Sequence, residues 1–415
     1  MSRFIFILVI LAIYFSIDLY AYIGLDGVFE GSLTYRSTYL FISLLVLGSF
    51  GKIFTDLQAN FGVRNPLTNF LIGFAFAVFV TKLIFSILIL GQDVSRLILA
   101  FTNGIAALGD HAFLESAFPP RSWNITAISA ILSAIPFLVM IYGITWGKYR
   151  YKVVEVDLPI QDLPASFIGF KIAQISDVHA GSFDSVKQVA KGIELLNDQK
   201  PDIILFTGDL VNSHKDEIDP YLDVFSNMYA PYGMYSVTGN HDYYGMYRYG
   251  IPSDKDSYWR DFEEKHRIIG FKLLNNESQM VRKGDDHIHL AGVENWGAGP
   301  FPKRGNLNLA LRTIDDQAPV ILMSHDPTHW PLHVLPHQRN IDLTLSGHTH
   351  AMQFGINLFG WVWSPVKYRY KHWMGLYEEN GQKLYVNRGF GFLGFPGRVG
   401  MSPEITIFTL TKVNP

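Results

Sequence analysis

The sequence predicts an α-helical membrane domain of about four spans over residues 1–148, followed by an α/β domain over residues 149–415. Three features predict it. Of the 34 Lys/Arg and 37 Asp/Glu in 415 residues, only seven of each lie in residues 1–147. That first part holds four apolar runs, each near the length of about 20 residues that spans hydrocarbon. Beyond about Val153, short apolar strands ending in polar or Gly-containing turns alternate with amphipathic stretches of helical length.

The apolar runs cover residues 4–25, 39–55, 67–91 and 125–146. The first is too long for the apolar core of a signal peptide and lacks a small-residue cleavage site, so it reads as a span. Gly48, Ser49 and Gly51 interrupt the second, where a kinked or shallow helix is expected. The mixed stretch 92–121 reads as an interfacial loop in which Asp93 and Arg96, one turn apart, can pair. Asp18 and Lys82 fall inside spans, where charge is costly. Pairing across the bundle is the expectation, with a substrate or proton path as the alternative. If all four runs span, Arg3, Lys52, Arg64, Lys148, Arg150 and Lys152 share one side, against Arg36, Arg96 and Arg121 on the other. By the positive-inside rule the second domain is then cytoplasmic.

Composition removes several functions. The absence of cysteine excludes disulfides, thiolate metal sites and a cysteine nucleophile, so any metal must rest on His, Asp, Glu or Asn. The net charge of −3 does not supply the basic face that nucleic acid needs.

In the second domain, strands are expected at 170–175, 203–206, 234–237, 287–291, 320–323, 343–345, 384–386 and 405–410, and helices at 185–199, 217–228 and 256–266. Polar loops follow the strands directly, where open α/β sheets place their chemistry. They carry Asp177-Val-His179, Gly208-Asp209, Gly239-Asn240-His241-Asp242, Ser324-His325-Asp326 and Gly347-His348-Thr-His350. Imidazole, carboxylate and one amide oxygen are donors for borderline divalent ions such as Mn, Fe or Zn. Alternate residues past a strand end can reach one ion, so Asp177 with His179, and His348 with His350, are candidate pairs. Asp209 has two oxygens and is best placed to bridge two ions, with Asn240 and His325 completing the second.

In this order the five motifs D-x-H, G-D, G-N-H-D, a lone H and G-H-x-H resemble the calcineurin-like metallophosphoesterase superfamily, from about Lys171 onward. The resemblance implies a four-layer α/β/β/α sandwich. It places Asp177, His179, Asp209 and His350 on one ion and Asp209, Asn240, His325 and His348 on the other. His241 is left as a non-ligand that faces the phosphate and helps the leaving oxygen, while a hydroxide between the ions attacks phosphorus in line. The Asp-Arg-Gly that follows G-D in protein Ser/Thr phosphatases is missing after Asp209, which argues against that activity. Bacterial membrane-associated phosphoesterases are the nearest likeness, so a bacterial inner membrane is the expected setting.

Two later stretches bear on substrate. Residues 354–375 mix Phe359, Trp361, Trp363, Tyr368, Tyr370 and Trp373 with Lys367, Arg369 and Lys371, which suits an amphiphilic phosphate or lipid headgroups, or else a hairpin core. The glycines of 389–398 are expected to let backbone pass close to the metals, with Arg398 as a phosphate contact. Residues 243–259 are a candidate lid, and His329 and His333 are expected on one helix face behind the ligands. The expected function is hydrolysis of a phosphodiester on a lipid-linked or membrane-delivered substrate. The alternatives are an inert scaffold or sensor of the same fold, a soluble-nucleotide phosphodiesterase, or a transporter with an accessory domain.

Overall fold

The computed structural model describes residues 3–29, 31–59, 65–106, 119–244 and 255–413. The chain divides into two compact units, Met1–Thr55 with Phe70–Tyr142 and Asp56–Asn69 with Gly143–Pro415.

The first unit is built from helices α1 (Arg3–Asp26), α2 (Leu33–Ala59), α3 (Pro66–Ala106) and α4 (Trp123–Thr145). Leu33–Ile53, Pro66–Asn103 and Trp123–Thr145 are each long and apolar enough to cross a membrane. The 24 residues of α1, at 1.5 Å per residue, reach about 36 Å, which exceeds the ~30 Å of hydrocarbon. Two expectations change here. α2 is continuous through Gly48 and Gly51, because Ser49 satisfies its hydroxyl on the Leu45 carbonyl at 2.7 Å and no proline interrupts the ladder. α3 continues through residues 92–106 instead of becoming a loop. There Asp93 pairs with Arg96 and accepts from Arg121 Nε at 2.9 Å and the Tyr20 hydroxyl at 2.7 Å. The membrane charges Asp18 and Lys82 pair with each other, and Ser43 bonds both, at 2.9 and 3.0 Å.

In the second unit, one six-stranded sheet contains β1 (Lys152–Ile160), β14 (Glu404–Lys412), β2 (Lys171–Ile175), β3 (Ile203–Phe206), β4 (Met234–Ser236) and β5 (Phe271–Leu273), in that order. The other runs β12 (Gly375–Glu379), β13 (Gln382–Val386), β9 (Leu343–Ser346), β8 (Val320–Met323), β7 (Asp286–Gly292) and β6 (Glu277–Lys283). The strands β2 to β5 run parallel to one another, as do β7, β8, β9 and β13, while β14, β6 and β12 pair antiparallel with β2, β7 and β13. Continuous apolar runs such as Ile203-Ile-Leu-Phe206 suit strands buried on both faces. One side of each sheet faces the other: Ile172, Leu205 and Phe408 meet Leu290, Met323 and Leu345 in a shared core. Helices α5 (Val186–Asp198), α6 (Leu222–Phe225) and α7 (Lys255–Ile269) cover the outer side of the first sheet, through Val189, Ile193, Phe225 and Phe262. Helix α8 (Leu307–Leu311) and the turn Trp330–Val334 cover the second. The result is the four-layer α/β/β/α sandwich.

Ser185 caps α5 as its spacing implies, with its hydroxyl accepting from the Gln188 N–H. The helix expected at 217–228 is instead a tight turn over Lys215–Tyr221 that runs into α6. Pro220, which lacks an N–H, sits inside it. Most of the candidate lid lies outside the described residues.

Candidate metal centre

The sheets bring their carboxyl-end loops together. Asp177 and His179 follow β2, Asp209 follows β3 and Asn240 follows β4, while His325 follows β8 and both His348 and His350 follow β9. All seven sit at one place although they come from two sheets. The loops are stitched by main-chain bonds: the Asp177 N–H donates to the Gly208 carbonyl at 2.9 Å, and the His179 N–H to that of Asp209 at 3.1 Å. Across the sheets, the His348 N–H donates to both oxygens of Asp177, at 2.9 and 3.0 Å. A Cβ on Gly347 would overlap the Asp177 carboxylate, and one on Gly239 would overlap that of Asp209. This is why those motifs carry glycine.

The backbone is turned unusually to aim these side chains. Asp177, His179, Asp209, His348 and His350 all have left-handed φ, between 49° and 71°, a conformation that costs a non-glycine residue free energy and clusters at functional sites.

Two donor groups result. In the first, His350 Nε2 lies 3.2 Å from Asp177 Oδ1 and 3.0 Å from His179 Nε2. In the second, His325 Nε2 lies 3.1 Å from Asp209 Oδ2 and 3.3 Å from His348 Nδ1. Asp209 Oδ2 is also 3.5 Å from His179 Nε2, so this carboxylate stands between the groups. Asn240 is buried, and its Oδ1 has no hydrogen-bond partner among the described residues. A buried acceptor without a donor, beside imidazole nitrogens that converge on carboxylates, is what a pair of divalent cations would satisfy. The residues fit the ions.

Neighbouring groups fix how each donor points. His325 Nδ1 lies 2.8 Å from the Thr207 carbonyl, which takes the Nδ1 proton and frees Nε2. Burial alone would discharge His325, yet the carboxylates of Asp209 and Asp177 hold its pKa up at about 10. Burial would raise Asp177 and Asp209, but the imidazoles around them, His350 foremost for the former and His325 for the latter, hold both below the usual carboxylate range. The site therefore demands positive charge. Asp242, unassigned by the sequence, accepts from the N–H groups of Asp209, Leu210 and Gly239 at 2.8–3.0 Å and so shapes the Asp209 loop. Burial, with Asp209 close by, pushes its pKa up to about 7.

His241 is in neither donor group, although its ring centroid lies 4.9 Å from that of His179. Its N–H donates to Asp209 Oδ1 at 2.8 Å, and its Nδ1 bonds the Asn212 carbonyl at 2.7 Å. That carbonyl belongs to a loop whose Ser213 and His214 N–H groups are both held by buried Glu217 at 3.1 Å. The Nδ1 proton is thus committed and Nε2 is left for chemistry.

Arg398 is placed differently from the phosphate contact expected of it. It is 2% exposed and donates to the carbonyls of Arg388, Gly389 and Gly391 at 2.8, 3.0 and 2.8 Å. The loop so gathered bonds Ser176 and Asp177 through the Phe390 and Gly391 N–H groups, at 2.7 and 2.9 Å. His329 is buried and bonds Ser324 at 2.8 Å, and His333 packs on Trp296. The sequence placed Tyr370 only within an aromatic and basic stretch and gave Asp326 no role, yet the Tyr370 hydroxyl is 2.8 Å from His348 Nε2 and Asp326 is 3.5 Å from the same atom. Four residues beyond His350 begins a protruding segment with the hairpin β10 (Ile356–Leu358) and β11 (Trp361–Trp363). Phe359 at its tip is 98% exposed and Trp361 59%, with Lys367, Arg369 and Lys371 exposed nearby.

Known proteins share both parts of the chain. Residues 170–352 match the family model "Calcineurin-like phosphoesterase", and residues 2–148 match "Probable Calcineurin-like phosphoesterase, transmembrane domain". An uncharacterized metallophosphoesterase of Bacillus subtilis, YkuE, is 30% identical over 287 residues, covering 65% of this chain and 91% of that protein. The chain belongs to the metallophosphoesterase family. A transmembrane protein with a metallophosphoesterase domain from Danio rerio is 29% identical over 72% of this chain, and the match spans 65% of that relative's length. An uncharacterized metallophosphoesterase of Helicobacter pylori is 29% identical over 68% of this chain and 70% of its own. As a family member with membrane-crossing helices, the chain is an integral membrane protein.

Proposed function

We propose that this metallophosphoesterase hydrolyses a phosphodiester at a two-ion centre, and that its substrate is lipid-linked or delivered from the membrane. The observation that carries the first part is the convergence of donors from five loops around the single carboxylate of Asp209. Two divalent ions bound there would supply a hydroxide nucleophile at neutral pH and neutralise charge on the phosphoryl oxygens. Asp177, His179, Asp209 and His350 would hold one, and Asp209, Asn240, His325 and His348 the other. The protein's own part is positional and acid–base. The Asn212 carbonyl on Nδ1 fixes the His241 ring, and the Asp209 carboxylate holds the main-chain N–H of His241. A second ring proton, carried on Nε2, can then pass to the departing oxygen. Arg398 and Asp242 keep the two aspartate loops in place.

The test uses the purified full-length protein with bis-p-nitrophenyl phosphate and a panel of Mn, Fe, Zn and Mg. Chelation is expected to abolish turnover and metal to restore it. Asp209→Asn should abolish it, and His241→Ala should lower kcat by about 10²-fold or more. No turnover with any divalent ion would sink the reading and leave the inert scaffold.

The exposed Phe359 and Trp361 with flanking basic residues, on a chain that carries its own membrane spans, support the lipid class. Incubation with total lipid extract and mass spectrometry would identify a phosphoester consumed only when His241 is intact. Equal turnover of soluble and micellar diesters would instead favour a soluble nucleotide. Six Lys/Arg against three at the span ends support a cytoplasmic catalytic unit.

A further inference from the structure

A second set of metal donors lies in the second sheet, away from the carboxyl-end loops. His287 and His289 are alternate residues of β7 and therefore share one face of the sheet, opposite to Ile288 and Leu290, which enter the core between the sheets. Asp316 comes from the segment between α8 and β8. Its Oδ2 is 2.7 Å from His287 Nε2 and 3.2 Å from His289 Nε2, and its Oδ1 is 3.0 Å from the latter. These donors stand by the strand starts, since the residue opposite His289 in register is Val320, the first of β8. The loops of the catalytic centre follow the strand ends.

We propose that His287, His289 and Asp316 form a third divalent-cation site, best suited to zinc, separate from the catalytic pair. Its donor set is two imidazoles and one carboxylate, a set that zinc takes with one open position. Zinc bonds of 2.0–2.1 Å in tetrahedral geometry set neighbouring donors about 3.3 Å apart. The separations of the two imidazoles from the Asp316 oxygens, 2.7–3.2 Å, reach that edge after shifts of up to about half an ångström. They also resemble the 3.0–3.3 Å separations within the catalytic groups.

The carboxylate is held in place without any ion. Asp316 Oδ1 accepts the Ala318 N–H at 2.9 Å, and Arg339 donates to the main-chain carbonyls of Asp316 and Ala318 at 2.6 and 3.2 Å. The His289 N–H donates to the Pro319 carbonyl at 2.9 Å, which ties the same segment to β7. A donor set fixed this way loses little freedom on binding. His289 is buried, whereas the side chains of His287 and Asp316 are 27% and 36% exposed, so an ion can enter and a water can complete its shell.

The experiment counts ions. Full-length protein and His287→Gln/His289→Gln are equilibrated with zinc at graded free concentration, and bound metal is measured by mass spectrometry. The wild type is expected to hold one more ion per chain than the variant, with hydrolysis of bis-p-nitrophenyl phosphate unchanged. The difference of one is independent of what the catalytic centre holds, or whether it turns over. Equal counts would overturn the proposal. Should the double variant misfold, Asp316→Asn keeps an acceptor for Ala318 and removes the charge. Anomalous scattering at the zinc edge from wild-type crystals reads the site directly: a peak between the three side chains supports it, and zinc at the catalytic centre alone refutes it.

Discussion

His266 shows how burial sets a proton's cost far from the metals. Its ring packs against Phe262, its Nδ1 bonds the Phe262 carbonyl at 3.0 Å, and its Nε2 has no partner among the described residues. Burial pushes its pKa down to about 4 from 6.5, the Phe262 carbonyl opposing weakly. With the folded pKa below the unfolded one, this group contributes stability that is complete above pH 6.5 and is lost as pH falls to about 4. The loss is on the order of 3 kcal/mol. His266→Leu should flatten the decline of the thermal midpoint between pH 6.5 and 4, and an unchanged slope would refute the assignment. The seven proposed ligands were legible in the sequence because each sits in a short motif behind an apolar strand. Tyr370 was not, since it lies in an aromatic stretch without spacing. Asp242 stood in view within its motif, but four-residue patterns do not show that a carboxylate turns back to gather main-chain N–H groups. Arg398 illustrates the same limit, because its sequence setting among glycines suits an anion and its actual acceptors are carbonyls.

At the level of elements, the decisive pieces are loops held by other loops. The 389–398 segment depends on one guanidinium for several buried carbonyls, and an unpaired buried carbonyl costs about 1–3 kcal/mol. Arg398→Lys, with fewer donors and no planar fork, should therefore lower the urea midpoint by the equivalent of at least about 2 kcal/mol. A phosphate contact would instead raise KM and leave stability unchanged. The β10–β11 hairpin makes the opposite prediction, since its exposed side chains support little of the fold. Phe359→Ser/Trp361→Ser should cut turnover of a micellar phosphodiester by about tenfold, as expected from losing apolar contacts worth at least 1.4 kcal/mol, and leave the soluble diester untouched. Loss of both activities would place the hairpin in the catalytic machinery. Strands with continuous apolar runs were foreseen to within a residue or two. β1, β5, β6, β10, β11 and β12 were not. β6 buries only Val281 fully and β5 has three residues, so neither displays a period of two long enough to read.

The whole chain joins a membrane unit of low charge to a catalytic unit whose proposed ligands are divided between its two sheets. Asp177, Asp209 and Asn240 belong to the first sheet, and His325, His348 and His350 to the second. Topology can be tested cleanly because the sequence contains no cysteine. Tyr229 is 72% exposed on the catalytic unit, and Tyr229→Cys would offer a membrane-impermeant maleimide its single target. Labelling only after cells are permeabilised is expected for a cytoplasmic catalytic unit. Labelling of intact cells would place the catalytic unit on the outer side and overturn the charge-based orientation. The four-layer architecture was implied by motif order, whereas the pairing of strands distant in sequence was invisible to local patterns.

One such pairing governs how the molecule is made. β1 lies at the edge of its sheet and pairs only with β14, joining Lys152 to Glu404 and Ile160 to Lys412. During synthesis β1 emerges soon after the fourth helix and has no partner until some 250 further residues have left the ribosome. The nascent chain thus holds an open strand edge beside a bilayer for most of its translation, the kind of edge that invites wrong pairing. Its charges at Lys152, Glu155 and Asp157 are suited to keep that waiting strand soluble.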